Sequence, residues 1–278
     1  MTIKEIIKYS LRYLFTNRKL YWFNYRLYTF SLRAMGVMNY ENDYLRGENN
    51  FFKVLKVNDI KLDRVFDVGA NIGEYSTDFI KRYPKAEYHL FEINENTYSE
   101  LSKNMKQYDN VILNSQGLGE KEETKVLYDY DRSGTVHASL FKDVIEKAKY
   151  SDEMIEIECK IGTLDAYCFK NGIEKIDFLK IDTEGNEFNV LKGSKNMIEK
   201  NAIGIIQFEF NSMNVYSRTF FIDFINLLEN YNFYRILPDG LLLIADSKNY
   251  NMISCEIFAY QNIIAINKEH AYLSRIIK

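Results

Sequence analysis

The sequence predicts an α/β fold built on a mostly parallel sheet, and three observations carry that expectation. From Arg64 onward, short apolar runs alternate with helical spacings, the pattern of βαβ units joined by right-handed crossovers. The stretch Val65 to Ser76, VFDVGANIGEYS, passes from a β-branched run ending in Asp67 through Gly69, Asn71 and Gly73 into a helical pattern. Nineteen residues past Gly73, a second strand-like run, AEYHLFE, ends in Glu92. Glycine reaches backbone angles closed to other residues and lets a ligand approach the main chain, and Asn71 tolerates left-handed angles better than most side chains. An acidic residue ending the second strand is placed to accept hydrogen bonds from a ribose. A dinucleotide site would show G-x-G-x-x-G, whereas here Asn71 stands at the middle glycine and the third is displaced, so a different nucleoside ligand fits better. A purely structural reading stays open: the glycines shape a tight turn and Glu92 is a solvated strand end.

The elements follow in order. Strands are expected at 64–68, 86–91 and 110–114, with helices at 72–83 and 95–107, and Pro84 falls just after a helix end. Before them, NNFFKVLKVNDI after Gly47 reads as a short helix. Between Glu120 and Ile161 the rhythm breaks: TKVLYDY and EMIEIECKI alternate like strands around SGTVHASL, which points to an insertion or a lid. Thr163 to Lys170 resembles a capped helix, with Asp165 near its positive end. IDFLKID is the next strand, Glu184 to Lys200 is helical by spacing, IGIIQFEF is a strongly apolar strand, and a helix runs from about Phe220 to Asn230. NFYRIL, LLLI and EIFAYQNIIAI finish the sheet with a reversed hairpin.

At 278 residues the chain could form one large α/β domain with an appendage or two small domains; the expected division is a helical arm at 1–50 and the main domain at 51–278. Apolar and charged fractions of 46% and 27% exclude disorder and collagen-like repeats. Cys159, Cys168 and Cys255 form no C-x-x-C pair, which argues against a zinc site and a disulfide framework and for a reducing cytoplasm. Charges interrupt the first apolar positions and no uncharged apolar run reaches membrane-spanning length, so neither a signal peptide nor a span is predicted.

The first 35 residues carry seven Lys or Arg against Glu5 alone, a net of +6 in a chain whose total is −3. Ile3, Ile6, Ile7, Leu11, Leu14 and Phe15 recur at helical spacing, followed by Tyr21, Trp22, Phe23, Tyr25, Tyr28 and Phe30. Docking of this basic, aromatic arm on the main domain, or homodimerisation through it, ranks first. Peripheral attachment to the inner face of a membrane or to glycolipid comes second, and nucleic acid last, because no nucleic-acid motif accompanies the charge.

The strand-end polar residues are Asp67, Glu92, Asp182, Glu184, Glu209 and Asn211. Asp182 ends an apolar strand and is read as facing the ligand crevice, while Glu187 is read as complementing a helix dipole. DVGANIGEYS, FEIN, NSQGLGEKEE, the TLD at 163–165 and KIDTEGNEFNVLKGS together resemble the FkbM family of S-adenosylmethionine-dependent methyltransferases, a likeness that covers roughly Tyr44 to Asn267. The resemblance implies a class I methyltransferase (Rossmann-like) sheet of seven strands in the order 3-2-1-4-5-7-6, the last antiparallel. It implies S-adenosyl-L-methionine as cofactor, with Asp67, Gly69, Asn71 and Gly73 along the methionine part, Glu92 on the ribose, and Gly117 and Leu118 near the adenine. Many members O-methylate sugars or other natural-product hydroxyls, so a carbohydrate or glycolipid-type acceptor is expected. His137 departs from the small polar residues expected at its position.

A sugar hydroxyl is a poor nucleophile while protonated, so a positioned base should take its proton. Asp182, Glu209 and His137 are the catalytic candidates, with Glu184 also in reach. Asp182, Glu209 and Asn211 form an alternative oxygen ligand set for a divalent cation, although no metal is expected. Two other functions compete: a non-catalytic nucleoside-binding module, and a nucleic-acid methyltransferase using the basic arm. The second lacks an N-P-P-Y-type segment, and the net −9 outside the arm disfavours a polyanion.

Overall fold

The computed structural model describes residues 2–38, 47–130, 138–148 and 154–270. The chain begins with α1 (Ile3–Phe15), a 3-10 turn (Arg18–Leu20), α2 (Tyr21–Ala34) and α3 (Gly47–Val57). The alternating region follows with β1 (Arg64–Val68), α4 (Glu74–Arg82), β2 (Glu87–Phe91), α5 (Glu95–Met105), β3 (Val111–Asn114) and β4 (Gly117–Leu118). Next come β5 (Glu123–Tyr130), α6 (Lys142–Ala148), β6 (Met154–Gly162), α7 (Leu164–Asn171), β7 (Ile176–Ile181), α8 (Glu187–Lys192), α9 (Lys195–Glu199) and β8 (Ile203–Phe210). The chain closes with α10 (Met213–Ser217), α11 (Phe221–Leu227), β9 (Tyr231–Leu237), β10 (Gly240–Asp246), α12 (Met252–Cys255) and β11 (Gln261–Asn267).

The large sheet runs β10-β9-β11-β8-β7-β1-β2-β3. Its inner strands are parallel, while β11 lies antiparallel between β8 and β9. This is the expected class I order and reversed strand with one correction: β10 adds an eighth strand, antiparallel on β9. Parallel strands covered on both faces should be buried throughout and mostly apolar, and every residue of β7 is buried, Asp177 and Lys180 being its polar members. One core lies on the side of α7, α8 and α11 and contains Phe208, Phe221 and Phe224; the other lies against α3 and α4 and contains Phe51, Phe79 and Phe178.

Within the irregular stretch, the two alternating runs pair antiparallel from Glu123↔Ile161 to Tyr130↔Met154, and these strands, β5 and β6, join β4 in a second sheet ordered β4-β6-β5. A short apolar cluster including Leu127 and Ile161 holds it over the end of the main sheet. The single helix expected over 184–200 is two helices. The break falls at Gly193 and Ser194, where the Gly193 carbonyl accepts the Asp165 N–H at 3.0 Å, and the close pass of this turn requires glycine, since a Cβ at 193 would lie 1.9 Å from the Gly119 carbonyl oxygen. The capped helix is present: Thr163 accepts the Ala166 N–H at 3.1 Å. Asp165 does more than face a dipole, since its carboxylate accepts the N–H groups of Asn196 and Met197 at 2.8 and 3.0 Å and ties α7 to α9.

Only the root of the arm docks on the main domain among the described residues. Leu32 and Val37 are buried, and the Met38 N–H donates to the Tyr260 carbonyl at 2.7 Å. The apolar side chains described along α1 and most of those along α2 are exposed, so the first-ranked expectation of docking on the domain is met only at that root.

Candidate active site

The turn between β1 and α4 is left-handed at three positions, with φ of +84° at Gly69, +49° at Asn71 and +87° at Gly73. Strand ends from β1, β2, β4 and β7 surround a cleft beside it, lined by Gly69, Asn71, Glu92, Gly117, Leu118 and Asp182 among others. The turn clamps Glu92: Asn71 N–H donates to Oε2 and Asn94 N–H to Oε1, both at 2.9 Å. Burial pushes the Glu92 carboxyl above its ordinary range, against the backbone donors that favour the anion.

Two of the predicted cofactor residues do not line this cleft. Asp67 lies beneath the turn, 1% exposed, where its carboxylate accepts from Ser76 Oγ at 2.6 Å and Lys180 Nζ at 3.4 Å. Burial raises its pKa, opposed by the Lys180 ammonium and the Ser76 hydroxyl. Gly73 packs toward α5, and a Cβ there would come within 2.2 Å of Met105 Cε. Gly69 does line the cleft, yet its need for glycine comes from the protein: a Cβ would sit 1.8 Å from the Asp182 carbonyl oxygen, where the turn crosses the end of β7. Leu127 of β5, and Ala138 and Leu140 just before α6, add to the wall.

Asp182 lies just past β7, its carboxylate held by Lys180 Nζ at 3.1 Å. Lys180 is 5% exposed, lies between Asp67 and Asp182, and stands over the Tyr75 ring at 4.7 Å. Sequence reasoning passed over Lys180, although a lone lysine inside the apolar run IDFLKI was its signal: a buried ammonium persists only when paired. Lys180 neighbours Asp67 on one side and Gln207 on the other in the sheet register. From there a polar chain crosses to the last strand. The Tyr75 hydroxyl donates to Gln207 Oε1 (2.6 Å), Gln207 Nε2 to Asn262 Oδ1 (3.2 Å), and Asn262 Nδ2 to the Tyr260 hydroxyl (3.1 Å). Tyr260 in turn bonds the Glu209 carboxyl, whose Oε2 also accepts from Asn211 Nδ2 at 3.1 Å. Burial and the nearby Asp182 and Glu184 carboxylates push Glu209 well above the usual carboxylate range.

The remaining candidates separate by role. Asn211 is held locally, its Oδ1 accepting the Met213 N–H at 2.8 Å and its Nδ2 donating to Glu209 Oε2. Among the described residues no group of three His, Cys, Asp or Glu is arranged to hold a metal ion. His137 lies outside the described residues. Glu184 adopts φ +52° in the turn after β7 and lines the cleft. Glu187 is buried, and its Oε1 accepts from Thr183 N–H (2.9 Å), Thr183 Oγ1 (3.1 Å) and Gly185 N–H (3.1 Å), so it shapes the turn that carries Asp182 and Glu184.

Burial raises the Glu187 pKa to about 7. A carboxyl that binds its proton more tightly folded than unfolded contributes stability at low pH and loses it as pH rises from about 4.5 through the folded value. Glu187→Gln keeps an acceptor for the three donors and removes this ionisation. Thermal melts of the parent should therefore lose on the order of 3 kcal/mol relative to Glu187→Gln between the two pH limits; parallel pH profiles would refute the assignment.

A model of the FkbM methyltransferase domain matches residues 67–234, more than half of the chain. The chain belongs to this family. Methyltransferase 1 of Beauveria bassiana (strain ARSEF 2860) is 26% identical over 142 residues, covering 46% of this chain and 57% of that one. The 2-O-methyltransferase NoeI of Sinorhizobium fredii (strain NBRC 101917 / NGR234) is 23% identical over 163 residues, covering 55% and 65%. The chain thus matches less than two thirds of the length of each of these relatives. Among solved structures, the plantazolicin methyltransferase BamL, in complex with a triazolic desmethylPZN analog and SAH, covers 82% of this chain and 87% of its own at 10% identity and a TM-score of 0.44.

The cofactor of this FkbM chain is S-adenosylmethionine, and the cleft fits it. A carboxylate offers about four lone-pair sites, and the backbone donors on Glu92 leave capacity for ribose hydroxyls. Gly69, Asn71, Gly117 and Leu118 line the same cleft.

Proposed function

We propose that this FkbM-family chain O-methylates a sugar hydroxyl of a glycan or of its activated or lipid-linked precursor. The observation that carries the reading is the pair of carboxylates at adjacent strand ends: Asp182, just past β7, lines the cleft, and Glu209, in the neighbouring β8, lies behind that wall, close enough for the Asp182 charge to raise its proton affinity. The cofactor supplies a methyl group already activated on a sulfonium, so the protein's task is alignment and proton removal. Asp182, fixed by Lys180, accepts the acceptor hydroxyl's hydrogen bond and orients its oxygen. Glu209, whose proton affinity is raised by burial and by its carboxylate neighbours, takes that proton as the new carbon–oxygen bond forms. The similarity to a 2-O-methyltransferase supports an oxygen acceptor. We place the reaction in the cytoplasm, consistent with three buried free thiols at Cys159, Cys168 and Cys255.

The test is methyl transfer from the cofactor to sugar nucleotides, free oligosaccharides and lipid-linked sugars, read by mass spectrometry. An added methyl on a sugar oxygen in any of the three is the expected result. Methylation confined to peptide or nucleic acid, with all three sugar classes inert, would overturn the reading.

A further inference from the structure

We propose that the α1–α2 arm is a membrane-surface anchor that takes an anionic phospholipid bilayer. Turning 100° per residue, α1 places Ile3, Ile7 and Leu14 on one face and Lys4, Lys8 and Arg12 in a stripe beside it. The described apolar side chains of that face are exposed, and Thr2 and Glu5 close a capping box at the helix start. On α2 the exposure continues through Tyr21, Phe23, Tyr28, Phe30 (67%) and Trp22 (69%). Asn24 Nδ2 donates to the Phe15 carbonyl at 2.9 Å and the Phe15 and Phe23 rings lie 6.4 Å apart, so the helices meet where α1 ends. Tyrosine, tryptophan and basic side chains together are what the headgroup region of a bilayer accommodates. Among the described residues no helix is long and apolar enough to cross a membrane, so the arm lies on the surface.

Charge selects this occupant over a second copy of the arm. Pairing two arms face to face would bring two +6 segments together with a single acid in each, whereas an anionic bilayer neutralises them. The root of the arm gives the attachment a direction. Arg235, buried in β9, donates from Nη1 to the Met35 carbonyl (3.4 Å) and from Nη2 to the Ser254 carbonyl of α12 (3.1 Å). The root therefore adjoins α12, where Met252 and Ile253 (89% exposed) extend the apolar surface. Met38 bonds Tyr260, whose hydroxyl bonds Glu209, so the anchor joins the main domain at the same strand ends that carry the catalytic carboxylates. The inference goes beyond the acceptor reading and does not require it.

Trp22 is the chain's single tryptophan, so its emission reports the arm alone. The full chain is titrated with phosphatidylcholine vesicles containing about one-third phosphatidylglycerol and with pure phosphatidylcholine vesicles, and its mass is followed by light scattering. Expected are a blue shift of Trp22 on the anionic vesicles, quenching by brominated acyl chains, and partitioning weakened about a hundredfold or more by the triple variant Lys4→Glu, Lys8→Glu, Arg12→Glu. Phe30→Ser and Ile253→Glu each weaken it while methyl-donor binding, measured by calorimetry with S-adenosylhomocysteine, stays unchanged and certifies the fold. Equal affinity for both vesicle types overturns the proposal. So does a stable dimer that Phe30→Ser dissociates while vesicles leave Trp22 unshifted.

Discussion

Asp182→Asn is expected to lower kcat by about a hundredfold and Glu209→Gln by about a hundredfold to ten-thousandfold, with cofactor affinity nearly intact in both. Asn at 182 keeps the shape and loses the carboxylate that Lys180 holds, so the acceptor oxygen is oriented less well; Lys180 keeps Asp67 as a partner, which limits structural damage. Gln at 209 retains contact with Asn211 and Tyr260 but takes no proton. The pH profile separates the two roles. If Glu209 is the base, turnover rises with pH through a value above the usual carboxylate range, because the base must be ionised. Asp182 is one of the negative charges that raise that value, so in Asp182→Asn the rising limb moves to lower pH. An active Glu209→Gln would return the proton-accepting role to Asp182 or to the segment containing His137, and an unshifted limb in Asp182→Asn would give it to that segment rather than to either carboxylate.

The succession of strands and helices was legible because the parallel strands are mostly apolar runs and each crossover helix keeps its own period, while the order of the strands in the sheet came with the family resemblance. What escaped was whatever depends on distant partners. Gly193 and Ser194 were a local signal for a helix end, but the reason the position must be glycine, the Gly119 carbonyl on the neighbouring segment, is not local. Lys180 went unremarked in the sequence because its pairing with Asp67 spans 113 residues. The chain from Tyr75 through Gln207 to Asn262 closes over separations of 132 and 55 residues, so no motif at fixed spacing could announce it. Asp67 and Gly73 show the converse. A motif residue can be required by packing under a cleft without touching its contents, and sequence pattern alone does not separate the two demands. Glu92 was identified as a strand-end carboxylate, but its clamp by Asn71 and Asn94 appears only once the turn is folded.

That clamp gives Glu92→Ala two effects. Losing the carboxylate removes charge-assisted hydrogen bonds to the ribose hydroxyls, each contributing about 1.5 to 3 kcal/mol, so affinity for S-adenosylhomocysteine by calorimetry should fall at least about tenfold. The same substitution orphans the N–H groups of Asn71 and Asn94, and an unpaired buried donor costs about 1 to 3 kcal/mol, so the melting temperature should fall in the absence of cofactor as well. Calorimetry well below the variant's transition keeps the two apart. If stability drops and affinity does not, Glu92 is a structural residue that braces the glycine turn. If affinity drops with little change in stability, water replaces the carboxylate at the backbone donors and the ribose contact is its main role. Raised proton affinity adds a signed pH effect. The ionised carboxylate is the stronger acceptor, so cofactor affinity should increase as pH rises through a Glu92 pKa above the ordinary carboxylate range, and Glu92→Ala should flatten that rise. A parent profile already flat over the acidic range would mean that the ribose does not read the ionisation of Glu92.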